Sequence, residues 1–132
     1  MNPETIDRIR KAVAGTRPLA VYLFGSTASN RTRPDSDVDL AVLPAIPLAA
    51  AELMALRTEL SEQLGRDVDL VDLSRATTVL RKEVLARGRL LFETDRLRRA
   101  EFEMYTLSDY ARLNEERAPI LAALGQSPSL HG

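Results

Sequence analysis

The sequence contains no cysteine, no tryptophan and a single histidine, His131, which is the penultimate residue. Without cysteine, the chain has no disulfide, no thiolate metal site and no cysteine nucleophile. A lone histidine at the end of the chain also argues against a histidine metal cluster and against Ser-His-Asp catalysis. Catalytic or metal-binding chemistry therefore has to come from carboxylates, hydroxyls and backbone groups.

Long apolar runs are also missing. No stretch approaches the roughly 18 residues that a membrane span needs, and the N-terminus lacks the basic-then-apolar order of a signal peptide. With 132 residues, 45% of them hydrophobic and 28% charged, the chain has the composition of one globular domain with its own core. We expect a cytoplasmic protein that does not bind a membrane.

Charge is unevenly distributed although the net charge is only −1. Residues 35–72 hold nine acidic residues and two arginines, whereas the segments on both sides are basic. Most of the basic side chains are expected on solvated helix faces, and we expect no direct binding of nucleic acid.

Two apolar runs frame the most informative stretch. The run Leu19–Phe24 predicts a buried strand that ends at Gly25-Ser26. Ten residues later, Asp37-Val38-Asp39 leads into the second run, Leu40–Leu43. Two carboxylates that are two residues apart on a strand share a face, so they repel each other unless a cation lies between them. The pair Asp37 and Asp39 therefore predicts a site for a divalent metal.

The turn after the first strand suits phosphate. Gly25 allows close approach of the backbone to a ligand, and Ser26 can begin a short helix over Thr27–Arg31. Free N–H groups at a helix N-terminus bind phosphate. A loop over Thr32–Ser36 would follow, in which two arginines either contact the phosphates or balance Asp35; these are Arg31 and Arg33.

A calcium loop is an alternative reading, because Asp35, Asp37 and Asp39 have the spacing of the first three EF-hand ligands. The rest of that motif is missing. The sixth position is Leu40 instead of glycine, and the twelfth is Ile46 instead of glutamate.

A third acidic position follows in the strand predicted over residues 67–73. Asp67 begins this strand beside Arg66, and Asp72 lies at its end near the next helix. Asp69 lies mid-strand between apolar residues, where a carboxylate is unfavourable unless it is paired or bound to a metal. We favour Asp69 as the third carboxylate and keep Asp72 as the alternative.

Helices are predicted around these strands, together with one short strand and a flexible tail at 125–132. The helices run from Pro3 to Gly15, from Leu48 to Leu64, from a cap at Ser74 to Arg87, and from Asp95 onward, and the strand is Leu90–Phe92. Pro119 should kink or interrupt the last helix.

The last helix carries two apolar stripes. We expect the first to pack on the core; it comprises Leu97, Ala100, Met104, Leu107, Ala111, Asn114, Ala118 and Leu121. The second is predicted to be a docking surface with Tyr105 and Tyr110 near its edge, and it comprises Phe102, Leu113, Ile120 and Leu124.

The motif Gly25-Ser26, ten residues, Asp37-Val38-Asp39, followed by an acid on a later strand, resembles that of the polymerase-β-like nucleotidyltransferases and, within them, the minimal nucleotidyltransferases. The resemblance covers about residues 18–92. It implies an α+β fold with a small mixed sheet flanked by helices and a long C-terminal helix. The domain would span 1–124, with a catalytic core at 18–92 and a helical segment at 95–124.

The same resemblance implies a reaction and a partner. Asp37, Asp39 and Asp69 would bind two Mg²⁺ ions and carry catalysis, while Gly25 and Ser26 would hold the phosphates of ATP. Many such proteins are antitoxins that transfer AMP to a tyrosine of a HEPN ribonuclease toxin. A homodimer or a hetero-oligomer is compatible with this role. The HEPN motif Arg-x4-His-x-Tyr is absent here, so the chain is not the toxin.

Two other functions fit the sequence. The acceptor could be a small-molecule hydroxyl, such as that of an aminoglycoside. The chain could also be a non-catalytic module that masks a toxin surface, although a mere binding module has no need of three clustered acids.

Overall fold

A four-stranded sheet lies between two pairs of helices. The computed structural model describes residues 1–25 and 37–125. In chain order, the elements are α1 (Pro3–Val13), β1 (Pro18–Phe24), β2 (Val38–Pro44), α2 (Ala50–Leu64), β3 (Val68–Asp72), α3 (Thr78–Arg87), β4 (Arg89–Glu93) and α4 (Arg96–Ala123). No helix within the described residues is long and apolar enough to cross a membrane.

The sheet is mixed, with the strand order β3-β2-β1-β4. β1 pairs antiparallel with both β2 and β4, while β2 and β3 run parallel. The parallel pair is joined through α2, as a parallel connection requires a crossover. The predicted fold class is confirmed: a small mixed sheet flanked by helices, with a long C-terminal helix.

Strand alternation divides the core into two layers. Val38, Leu40 and Val42 of β2 point toward α1 and α2, together with Val68 and Leu70 of β3. Ala41 and Leu43 point to the opposite layer, where α3 and α4 pack on β1. Any odd-numbered residue of β2 therefore faces α3 and α4.

Local capping explains most helix boundaries. Asn2 Oδ1 accepts a hydrogen bond from Thr5 N at 2.8 Å and begins α1, as predicted. Gly65 ends α2 in the left-handed conformation. The predicted cap at Ser74 is wrong, because α3 begins at Thr78 with Thr77 as its cap. The hydroxyl of Ser74 instead donates to Asp72.

The orientation of α4 reverses the two predicted stripes. Phe102 packs against the core layer under α3 and α4, and Thr106 is buried. The stripe that we expected in the core is largely exposed, with Leu97 at 70%, Met104 at 55% and Leu107 at 53%. Asn114 is its buried exception. The predicted docking stripe is therefore partly a packing stripe, and only its distal members Ile120 and Leu124 are exposed.

Polar contacts account for this orientation. Tyr22 OH on β1 donates to Glu103 Oε1 at 2.8 Å, and Arg99 Nη1 donates to Glu103 Oε2 at the same distance. Arg99 also pairs with Glu93 on β4. Burial and the neighbouring Glu103 carboxylate raise the pKa of Tyr22, so its hydroxyl remains a donor. These hydrogen bonds and ion pairs hold the face of α4 that carries Arg99 against the sheet.

The helix α4 continues through Pro119 to Ala123, so the predicted interruption near Ala118 is wrong. The missing proline N–H affects one helical bond near the end of a long helix, where the loss is tolerated. Several predictions lie outside the described residues: Ser26, the helix Thr27–Arg31, the loop Thr32–Ser36 and the tail beyond Gly125.

The junction of α3 and β4 is unusually close to β1. Gly88 N donates to Val84 O at 2.7 Å. A Cβ atom at Gly88 would meet Val84 O and would lie 3.0 Å from Leu23 O, both backbone atoms. A glycine is required here by space, because neither atom can rotate away.

Candidate active site

Gly25 ends β1 beside the carboxylate of Asp39. Its φ of 71° lies in the left-handed region that favours glycine. The preceding residue, Phe24, is the register partner of Asp39 on β2. A Cβ atom on Gly25 would overlap with Oδ2 of Asp39 and would lie 3.0 Å from its Cγ. The turn and the carboxylate are therefore in direct contact.

Asp39 and Asp69 are register partners across the parallel pair of β2 and β3. Register partners point to the same face, here the one toward α3 and α4. Asp39 is half-buried, whereas the side chain of Asp69 is 66% exposed. Asp37 immediately precedes β2 and is exposed. Asp39 and Asp69, which come from different parts of the sequence and were predicted to act together, are thus adjacent in the sheet.

The electrostatics of Asp39 reflect this arrangement. Burial raises the pKa of Asp39 above its ordinary value, and the charges of Asp69 and Asp37 raise it further. The two neighbours thus act on Asp39 as like charges. A divalent cation among these carboxylates would reverse that unfavourable interaction.

Asp72 lies on the other face of the sheet. Its carboxylate is 4% exposed and accepts from Leu48 N at 2.9 Å through Oδ2. Its Oδ1 accepts from the backbone N and the hydroxyl of Ser74. These bonds satisfy the buried carboxylate and hold the start of the segment that leads into α2. Asp72 therefore has a structural role, away from Asp39.

Arg57 of α2 reaches Asp69 around the edge of the sheet. Its Nε donates to Val68 O at 3.0 Å, and its Nη2 lies 3.8 Å from Asp69 Oδ1. The second distance is longer than a direct hydrogen bond. This residue could not be predicted from the sequence, because an arginine on a helix eleven residues before the strand belongs to no motif.

Whether the carboxylates fit a metal can be judged from their chemistry. Within residues 1–25 and 37–125, no group of three His, Cys, Asp or Glu side chains forms a site that could hold a metal ion as placed. Asp37, Asp39 and Asp69 nevertheless interact electrostatically, and all offer carboxylate oxygens, which Mg²⁺ prefers. The mutual repulsion at Asp39 fits a cation, and the exposed side chain of Asp69 has freedom to turn.

Comparison with known families assigns the chain. Residues 7–97 match the family model described as polymerase beta, nucleotidyltransferase. The match spans the whole sheet and includes Gly25, Asp37, Asp39 and Asp69. The chain is a member of the polymerase β nucleotidyltransferase family.

The nucleotidyltransferase is also similar to individual proteins. It is 39% identical over 104 residues to the protein adenylyltransferase MntA of Shewanella oneidensis. The aligned region covers 76% of this chain and 72% of that protein. The resemblance to the minimal nucleotidyltransferases is thereby confirmed.

Solved structures give the same relationship. A toxin–antitoxin structure with AMP-PNP matches with a TM-score of 0.80 and 34% identity, over 90% of this chain and 97% of that one. A structure of a tri-AMPylated Shewanella oneidensis HEPN toxin in complex with MNT antitoxin matches with a TM-score of 0.77 and 32% identity, over 94% and 98% of the two chains.

A more distant structure shows the fold alone. Spectinomycin adenyltransferase AAD(9) from Enterococcus faecialis, with ATP and spectinomycin, has a TM-score of 0.54 and 13% identity. This nucleotidyltransferase covers 69% of that chain. The shared fold says nothing of a shared acceptor.

Proposed function

We propose that this nucleotidyltransferase transfers AMP from ATP to a tyrosine hydroxyl of a HEPN-domain toxin and so acts as its antitoxin, in the cytoplasm where ATP is available. The observation that carries the proposal is the in-register pair Asp39 and Asp69 beside the Gly25 turn. Support comes from MntA, a protein adenylyltransferase, and from the complex of a tri-AMPylated HEPN toxin with its MNT antitoxin.

The proposed step is a displacement at the α-phosphorus of ATP. The acceptor oxygen forms a bond to the α-phosphorus, and the bond from that phosphorus to the bridging oxygen of the β-phosphate breaks. Pyrophosphate leaves with the bonding electrons, and the acceptor hydroxyl loses its proton. Catalysis of this kind depends mainly on positioning and on charge stabilisation.

Each site residue has a separate role in this step, according to its position. Gly25 brings the backbone close to the phosphates, and Ser26 would add its N–H and hydroxyl. Asp37, Asp39 and Asp69 would hold two Mg²⁺ ions, which when bound neutralise phosphate charge and lower the pKa of the acceptor hydroxyl. Asp69, on the outermost strand, would lie on the acceptor side and would receive the proton.

The small-molecule alternative is supported only by fold. Larger nucleotidyltransferases hold such acceptors with an additional domain, and the described residues after β4 form one helix. A masking module without catalysis does not explain why Asp39 is half-buried beside two carboxylates, with its pKa raised by burial and then by their charges. The protein acceptor therefore remains the function that the geometry supports best.

The test is coexpression with a HEPN-domain protein that carries the motif Arg-x4-His-x-Tyr, sought first in the reading frames adjacent to that of this chain. We expect the intact mass of that protein to increase by whole AMP units and its ribonuclease activity to fall. Asp39→Asn should abolish both effects, whereas Asp7→Asn, at a helical surface pair with Lys11, should change neither. An unmodified HEPN protein that is nevertheless inhibited would instead favour the masking module.

A further inference from the structure

The components of the site follow one another across the sheet. Gly25 lies at the end of β1, Asp39 on β2 and Asp69 on β3, and β3 is the outermost strand on that side. Since neighbouring strands are about 4.8 Å apart, the line from the turn to Asp69 is about 10 Å long. The phosphates of ATP belong at the β1 end. In the proposed function, the acceptor hydroxyl would then approach from the side of β3.

A groove opens at that edge, between α2 and the start of β3. Its volume is about 860 Å³, and its lining includes Met54, Thr58, Ser61 and Val68. Arg57 also lines the groove and connects it to the site, since its guanidinium contacts Asp69. The groove lies on the α2 side of the sheet, and Arg57 joins its wall to Asp69 around the edge of β3.

The charges that line the groove argue against a polyphosphate as its occupant. Two arginines, Arg57 and Arg66, are balanced by two acids, Glu62 and Asp67. A groove without net positive charge does not concentrate a polyanion. A mixed polar lining with one adaptable apolar side chain, Met54 at 62% exposure, instead suits a polypeptide segment.

The edge of β3 is already hydrogen-bonded at Val68 by side chains of α2. Arg57 Nε donates to Val68 O, and Val68 N donates to Ser61 Oγ at 3.1 Å. Side chains of α2 thus already cover one residue of this strand edge with hydrogen bonds. A polypeptide segment that binds at this edge would contact side chains of α2 as well as the backbone of β3.

We propose that the groove between α2 and β3 binds the segment of the partner protein that carries the acceptor hydroxyl. This inference rests on the proposed function and names the surface that function uses. Arg57 is a positioning residue in it, because it links the groove wall to Asp69. The exposed stripe on α4 lies on a different element and is outside the proposed surface.

The experiment places a charge on the groove wall without touching the carboxylates. Met54→Glu is compared with Met104→Glu, which makes the same change at an exposed methionine of α4. Thr58→Arg is a second groove variant, at an exposed position on the same wall. AMP transfer is measured with the same HEPN-domain protein, together with ATP binding by calorimetry and thermal melting.

We expect Met54→Glu and Thr58→Arg to raise the KM for the HEPN protein at least about tenfold, while ATP affinity and melting temperature stay at the parent values. Met104→Glu should retain the parent KM. Parent-like KM values in both groove variants would overturn the proposal, as would a raised KM in Met104→Glu with none in Met54→Glu. A parent protein that transfers no AMP would refute the proposed function itself, and the acceptor groove with it.

Discussion

The Cβ position of Gly25 coincides with space occupied by Oδ2 of Asp39. Gly25→Ala should therefore displace the half-buried carboxylate and also strain a residue whose φ is 71°. The fold should lose only about 1 kcal/mol, because the overlapping atom is the end of a side chain. ATP affinity should fall at least about tenfold, measured by calorimetry with Mg²⁺ present.

Gly65→Ala is the matched control for that variant. Gly65 has a φ of 64° and no atom within 4 Å of its Cβ position, so the backbone strain is similar and the overlap is absent. We expect a similar loss of stability and unchanged ATP binding. Equal ATP binding in both variants would show that Gly25 does not shape the nucleotide site.

Asp39→Asn should stabilise the metal-free protein at neutral pH. The folded protein raises the pKa of Asp39 through burial and two neighbouring carboxylates, so it disfavours the ionised form. The stability associated with the protonated form is complete below the unfolded pKa of about 3.9 and is lost as pH rises through the higher folded pKa. Asparagine does not ionise, so the Asp39→Asn protein does not lose this stability as the pH rises.

Melting curves in a chelator should therefore show a higher melting temperature for Asp39→Asn than for the parent at pH 7. The difference should shrink as pH falls toward 4. An equal melting temperature at pH 7, or a difference that grows in acid, would contradict the repulsion among these carboxylates. Asp7→Asn removes a half-exposed carboxylate paired with Lys11 and should show no such gain.

Asp69 and Asp72 should separate catalysis from stability. Asp72→Ala leaves the buried N–H of Leu48 and the groups of Ser74 without their acceptor, so unfolding free energy should fall by at least about 2 kcal/mol. Asp69→Ala changes an exposed side chain and should alter stability by less than about 0.5 kcal/mol while abolishing AMP transfer. Urea denaturation and a labelled-ATP assay measure the two effects. Active Asp69→Ala protein would exclude it as the third carboxylate.

Two substitutions test the orientation of α4. Phe102→Asp puts a charge among the packed residues of the α3 and α4 layer and should lower unfolding free energy by about 3 kcal/mol or more. Leu107→Asp lies on the exposed stripe and should change it by less than about 0.5 kcal/mol. Chemical denaturation compares them directly. The reverse order of stabilities would restore the stripe assignment predicted from the sequence.

The sheet and the helices around it could be predicted because their signals are local. Apolar runs predicted β1 and β2, and the predicted end of α2 at Leu64 agrees with the structure. Asp69 is preferred to Asp72 because it lies in the middle of the predicted strand. In the structure, the side chains of Asp69 and Asp72 point to opposite faces of the sheet, because residues three apart on a strand face opposite sides. The catalytic role of Asp69 remains a prediction.

The orientation of α4 could not be predicted from apolar spacing. The face that packs on the sheet carries Arg99 and Glu103, whose partners Tyr22 and Glu93 come from distant strands. Such pairs are invisible until the strands are assembled. Arg57 escaped notice for the same reason, since its contacts with Val68 and Asp69 exist only at the folded sheet edge.

Gly88 has a consequence for genetics. It carries no functional group, yet its Cβ position abuts the carbonyl of Leu23, two residues before Gly25. Any side chain at 88 must push apart two backbones, one of which leads directly to the turn at Gly25. In a selection for inactive alleles, position 88 should be recovered alongside the carboxylates, and a mutational map alone would misassign it to the catalytic machinery.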